Sequence, residues 1–176
     1  MFKLWFCRIR GLICLGLLST LGLAEEAVFP LEQEKEQTAS SIKGWTENYE
    51  TALAAAKSEN KNLLLLFTGS DWCGYCIVLE REVFSTSKFK NWAGKNVILV
   101  KFDFPKTKKQ SDKIKSQNEK LQSEFKPNGY PGVFLVSPEG KVLAKMGGYE
   151  VGSGPAKYLK RITEQYPGKD SEIKSE

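Results

Sequence analysis

The sequence predicts an α/β fold on three observations. Two short apolar runs read as buried strands, the first of them continuous, helix-spaced apolar residues lie around them, and two further strand-like segments flank a four-residue turn. The first run, Leu63 to Phe67, is unbroken by polar residues, as a central strand buried on both faces should be. The second, Val97 to Phe102, is β-branched and bounded by Gly94 and Pro105. The pair Val133–Val136 and Lys141–Ala144 encloses Ser137-Pro138-Glu139-Gly140, which has the turn chemistry of an antiparallel hairpin.

The helices follow from spacing. After Thr46, read as an N-cap, Tyr49, Ala52, Leu53 and Ala56 recur on one face, Glu47 and Glu50 occupy the first turn, and Asn60 ends the helix. A second helix opens at Gly74 and carries Ile77, Val78, Leu79 and Val83, and a short helical piece covers Ser87 to Trp92. Residues 106–126 are polar and lysine-rich, yet Ile114, Leu121 and Phe125 fall at helical spacing, so an extra amphipathic helix is expected here. Its charged face reads as solvated, with an acidic docking partner as the sharper alternative. Pro155 suits a first helical turn, and Tyr158, Leu159 and Ile162 form the apolar face of the last helix.

The N-terminal segment is compositionally separate. Lys3, Arg8 and Arg10 precede the apolar stretch Gly11 to Leu23, and Gly22-Leu23-Ala24 places small residues where a signal peptidase needs them. Residues 1–24 are therefore expected to be a signal peptide and the protein to be exported. Residues 25–44 read as a flexible Glu/Gln/Ser-rich linker, 45–166 as the folded domain, and 167–176 as a charged, disordered tail. Loss of residues 1–24 lowers the basic count from 26 to 23 against 21 acids, so the net charge falls from +5 to +2. That balance gives no reason to expect a nucleic-acid partner.

The same cut removes Cys7 and Cys14, leaving Cys73 and Cys76. A single close-spaced pair in an oxidising compartment points to chemistry rather than to a disulfide framework. The chain has no histidine, which removes Cys-His and Ser-His nucleophilic catalysis. A structural zinc site needs about four ligands, and two thiols without histidine fall short. A copper carrier would want more soft ligands than the two methionines, so neither metal nor cofactor is expected.

Cys-x-x-Cys opening a helix sets the first sulfur beside unpaired backbone N–H groups and the positive end of the dipole, which favours thiolate. Cys73 is thus the expected nucleophile and Cys76, one turn on, the resolving thiol. Gly74 leaves room for a substrate chain, and Tyr75 between the sulfurs is placed to alter the redox potential.

Trp72-Cys73-Gly74-Tyr75-Cys76 together with Tyr130-Pro131, just before the Val133 strand, resembles the thioredoxin superfamily in its active-site motif and its cis-proline. The resemblance covers residues 45–166 and implies the thioredoxin fold, a central mixed sheet flanked by helices. It also implies a cis bond before Pro131, facing the cysteines, and a Tyr130 backbone that pairs with extended substrate. More narrowly, Phe67 to Cys76 and Phe102-Asp103-Phe104-Pro105 look like the exported, single-domain proteins of the DsbH type. That subgroup implies a periplasmic disulfide reductase recharged by a DsbD-like membrane electron donor; protein disulfides are the expected substrates and a monomer the expected state. The sequence departs from thioredoxin where Leu66 occupies the place of a buried acid, which leaves Glu80 as the candidate proton acceptor for Cys76. Isomerase and oxidase are the alternatives within this chemistry, and a thiolate metal carrier is the alternative outside it. Residues 25–44 are too short and too polar for the dimerisation domain that isomerases of this kind carry.

Overall fold

The computed structural model describes residues 43–165. The signal peptide, all of the linker but its last two residues, the last residue of the domain and the tail expected from the sequence lie outside them. Five strands and five α-helices follow one another: β1 (Trp45–Thr46), α1 (Tyr49–Glu59), β2 (Asn62–Thr68), α2 (Gly74–Leu79), α3 (Ser87–Asn96), β3 (Val97–Asp103), α4 (Asp112–Phe125), β4 (Gly132–Val136), β5 (Val142–Gly147) and α5 (Gly154–Gln165). A π-helical turn, Glu80–Phe84, continues α2 without a break.

The strands form one mixed sheet in the order β1-β3-β2-β4-β5. β3 runs parallel to both β1 and β2, whereas β4 is antiparallel to β2 and to β5. Central β2 is buried almost throughout, which is why it reads as an uninterrupted apolar run. Its side chains alternate between two cores, as the pleat requires. Leu64 and Leu66 point to the face covered by α2, α3 and α5, where Leu79, Val83, Phe89, Tyr158, Leu159 and Ile162 pack. Leu63, Leu65 and Phe67 point to the other face, against Ala52, Ala55 and Ala56 of α1 and Leu121 and Phe125 of α4. Phe67 is fully buried there, with ring centroids of Phe102 and Phe134 at 4.8 and 5.4 Å, so truncating it to alanine would cost about 3–5 kcal/mol.

Three local expectations need correction. Thr46 does not cap α1: it lies in β1 opposite Val100, and Asn48 is the cap, its Oδ1 accepting from Thr51 N–H at 3.0 Å. Asn60 does end that helix, in the left-handed conformation at φ 50°. The helix expected over 106–126 starts only at Asp112, after the N-cap Ser111; residues 106–108 lie in the preceding loop, where their backbone N–H groups donate to the Asp71 carboxylate. The helical piece expected over Ser87 to Trp92 runs on to Asn96, so Gly94 lies inside α3 rather than bounding a strand.

Candidate active site

Cys73 and Cys76 sit where β2 hands the chain to α2. Cys73 is the N-cap of α2, and its Sγ accepts from the Cys76 N–H at 3.3 Å. The two are joined in a disulfide with Cα atoms 5.2 Å apart, and both are largely buried by the surrounding chain. The residues around them are open: Trp72 is 40% exposed and Tyr75 62%. Nothing lies within 4 Å of where a Gly74 side chain would project, in keeping with an approach route for a substrate chain.

The Tyr130–Pro131 peptide bond is cis, as the resemblance implies, and immediately precedes β4. Tyr130 meets the Trp72 ring edge-to-face at 5.6 Å, which brings the cis-proline segment beside the cysteine loop. The Tyr130 hydroxyl accepts from Gln122 Nε2 on α4, and burial raises its pKa. An open cleft of about 310 Å³ follows this segment, lined among others by Gly129, Tyr130, Pro131, Lys145 and Met146.

Trp72 is also bonded to the loop after β3. Trp72 donates its indole N–H to the Phe104 carbonyl at 2.8 Å, and Phe104 N–H donates to Thr68 O at 2.9 Å. Asp103 accepts from the Ser70 N–H at 2.9 Å and the Ser70 hydroxyl at 2.6 Å. Asp71 accepts from the N–H groups of Lys106, Thr107 and Lys108 at 3.0, 2.7 and 3.2 Å and from the Thr107 hydroxyl at 2.6 Å. The Thr107 hydroxyl, then the backbone donors, hold the Asp71 carboxyl well below the usual carboxylate range. None of these links between Ser70-Asp71 and the loop after β3 was read from the sequence, where Phe102 to Pro105 stood out only by resemblance. Asp71 beside Trp72 is the one local signal, and its partners lie 35 to 37 residues away.

Glu80 opens the π-helical turn, one turn beyond Cys76, and its backbone N–H bonds to the Cys76 carbonyl. Its carboxylate is 3.8 Å from Lys101 Nζ and 41% exposed. Lys101 is the β3 partner of Leu66 in the strand register, so the position beneath α2 that lacks an acid faces this ion pair's lysine across the ladder.

Comparison with known proteins agrees with this arrangement. Residues 44–138 match the thioredoxin-like family. The chain is 33% identical over 162 residues to the disulfide bond reductase DsbH of Chlamydia pneumoniae, covering 91% of this chain and 95% of that one. It is 32% identical over 152 residues to the thioredoxin-related protein DsbJ of the same organism, covering 85% of this chain but 43% of the relative. A solved structure of a DsbH oxidoreductase superposes with a TM-score of 0.65 at 32% identity, over 76% of this chain and 91% of that one. With a Cys-x-x-Cys disulfide capping α2 beside a cis-proline, the chain belongs to the thioredoxin-like family and is a thiol–disulfide oxidoreductase.

Proposed function

We propose that the protein is an exported reductase of protein disulfides, with Cys73 as nucleophile and Cys76 as resolving thiol. The observation that carries this is the placement of Cys73 as the N-cap of α2, its sulfur already accepting a backbone N–H. The same donor, with the helix dipole behind it, stabilises the thiolate once the pair is reduced. The Cys73 thiolate attacks one sulfur of a substrate disulfide and expels the other as a thiolate, which takes up a proton. Cys76 then gives up its proton and attacks Cys73 Sγ, expelling the second substrate thiolate. The substrate gains two electrons and two protons, and the protein is left with the Cys73–Cys76 disulfide.

A dithiol carrier in the membrane, of the DsbD kind, returns those electrons by the same exchange run backwards. Trp72, Gly74 and Tyr75 form the rim over which substrate reaches Cys73, and the Tyr130 backbone before Pro131 pairs with an extended substrate segment. Glu80 takes the Cys76 proton. The reductive direction is supported by the name of the DsbH relative. Export rests on residues 1–24 as a signal peptide, with the mature chain starting near Glu25, and N-terminal sequencing of exported protein checks it.

Equilibration with glutathione mixtures tests the direction. A potential near the thioredoxin value of about −270 mV, with reduction of insulin disulfides, supports a reductase, and a value near about −120 mV would make the protein an oxidase.

A further inference from the structure

Two lysines on the loop after β3 flank Trp72 and Ser70. Lys106 places its ammonium 4.4 Å from the centroid of the Trp72 ring, and Lys108 Nζ lies 3.2 Å from Ser70 Oγ. Both side chains are exposed, and among the described residues neither forms an ion pair.

The acids at hand are otherwise engaged. Asp71 lies under the same loop, but its two oxygens accept from three backbone N–H groups and one hydroxyl. Asp103 is bonded to Ser70. Asp71 therefore acts as a clamp: it fixes the backbone of residues 106–108, and that backbone directs the Lys106 side chain over the indole. A cation over an aromatic face is held weakly when exposed, about 0.5–1 kcal/mol, so it stays available to a carboxylate that approaches.

Trp72 immediately precedes Cys73, and its ring both meets Tyr130 beside the cis-proline and carries Lys106, so a chain laid along Cys73 and Tyr130 borders the ring that holds this cation. We propose that Lys106, held over Trp72 by the Asp71-clamped loop, is a specificity residue that favours protein disulfides flanked by an acidic residue. This rests on the reductase reading given above and names the substrate class of that same site.

The test uses two synthetic peptides with one intramolecular disulfide each, identical except for Glu or Lys beside the cysteine that is attacked. The reduced protein is expected to act on the Glu peptide with a kcat/KM about two- to fivefold higher, the range of one exposed ion pair, and the difference should lie in KM. Lys106→Gln should erase the preference, and about 1 M salt, where the screening length is about 3 Å, should do the same. Lys120→Gln, an exposed lysine of α4, serves as the control for overall charge and should retain it.

Equal kcat/KM for the two peptides overturns the proposal and leaves the reductase reading standing. A preference that survives Lys106→Gln, or that Lys120→Gln also removes, overturns the assignment to Lys106. Reduction of neither peptide overturns both readings.

Discussion

The Trp72 indole N–H donates to the Phe104 carbonyl at 2.8 Å, which ties the residue before the nucleophile to the loop after β3. Gly69 lies against the same ring, and a Cβ there would fall 2.5 Å from Nε1 and 2.7 Å from Cζ2. Only glycine lets the indole lie flat enough to reach Phe104.

Gly69→Ala should therefore displace Trp72, break the bond to Phe104 and lower stability by about 1–3 kcal/mol, the range for forcing atoms into a packed site. The Trp72 indole N–H resonance and the urea midpoint report the two effects. An unmoved resonance with a wild-type midpoint would contradict this account of the cysteine loop.

Two carboxylates give the fold an acid limit. Asp71 is depressed mainly by the Thr107 hydroxyl and then by backbone N–H groups. Glu82, in the π-helical turn, is depressed by the Gly152 N–H and then the Tyr149 hydroxyl, both at 2.8 Å. A carboxylate whose folded pKa lies below its unfolded value contributes its full stability above the unfolded value, about 4, and loses it as pH falls toward the folded one. The urea midpoint should thus decline from about pH 5 downward, and Asp71→Asn should lower it at neutral pH while making the acid decline shallower. An acid limb of unchanged slope in that variant would show that folding does not lower the Asp71 pKa.

The frame of the molecule was legible because its signals are local and repeated. Leu63 to Phe67 announces a strand buried on both faces, and the Ser137–Gly140 turn announces the β4–β5 hairpin. The pair Cys73 and Cys76 is likewise a local pattern, and Tyr130-Pro131 was found by resemblance. β1 was missed because two residues carry no periodicity, and with it the role of Trp45, whose ring packs 5.2 Å from Phe84. The start of α4 is set by its N-cap Ser111, whose hydroxyl accepts from the Ile114 N–H, and the loop before it is bonded to Asp71, far back in the chain. Asn118 reads as one more polar residue of a lysine-rich helix. It is buried and donates to the Asp103 carbonyl at 2.9 Å, which fastens α4 to the end of β3.

The two sulfurs should separate cleanly by substitution. Cys73→Ala is expected to abolish disulfide reduction, since it removes the thiol at the N-cap of α2 and leaves only the buried Cys76. Cys76→Ala keeps the nucleophile but not its release, so it should accumulate mixed disulfides with substrate. Non-reducing electrophoresis after mixing with oxidised insulin distinguishes the variants. Mixed disulfides formed by Cys73→Ala and not by Cys76→Ala would reverse the roles.

Resolution requires Cys76 to lose a proton, and the surroundings restrict where it can go. The strand beneath offers Leu66, 2% exposed, and no carboxylate. Glu80 begins one turn beyond Cys76 and is held 3.8 Å from Lys101. At 41% exposure its carboxylate also meets water, which can accept the proton in its absence. Glu80→Gln should therefore slow the resolving step at neutral pH by about tenfold, less than the 10²–10⁴ typical of an enclosed general base. The defect should appear as mixed disulfide accumulating in the steady state, with attack by Cys73 unaffected. It should shrink as pH rises toward about 8.5, where a thiol ionises without help. A purely structural lesion would slow attack as well and would not be relieved by alkali. Wild-type resolution rates in Glu80→Gln across pH 6 to 9 would remove Glu80 from the proton path and leave solvent as the acceptor.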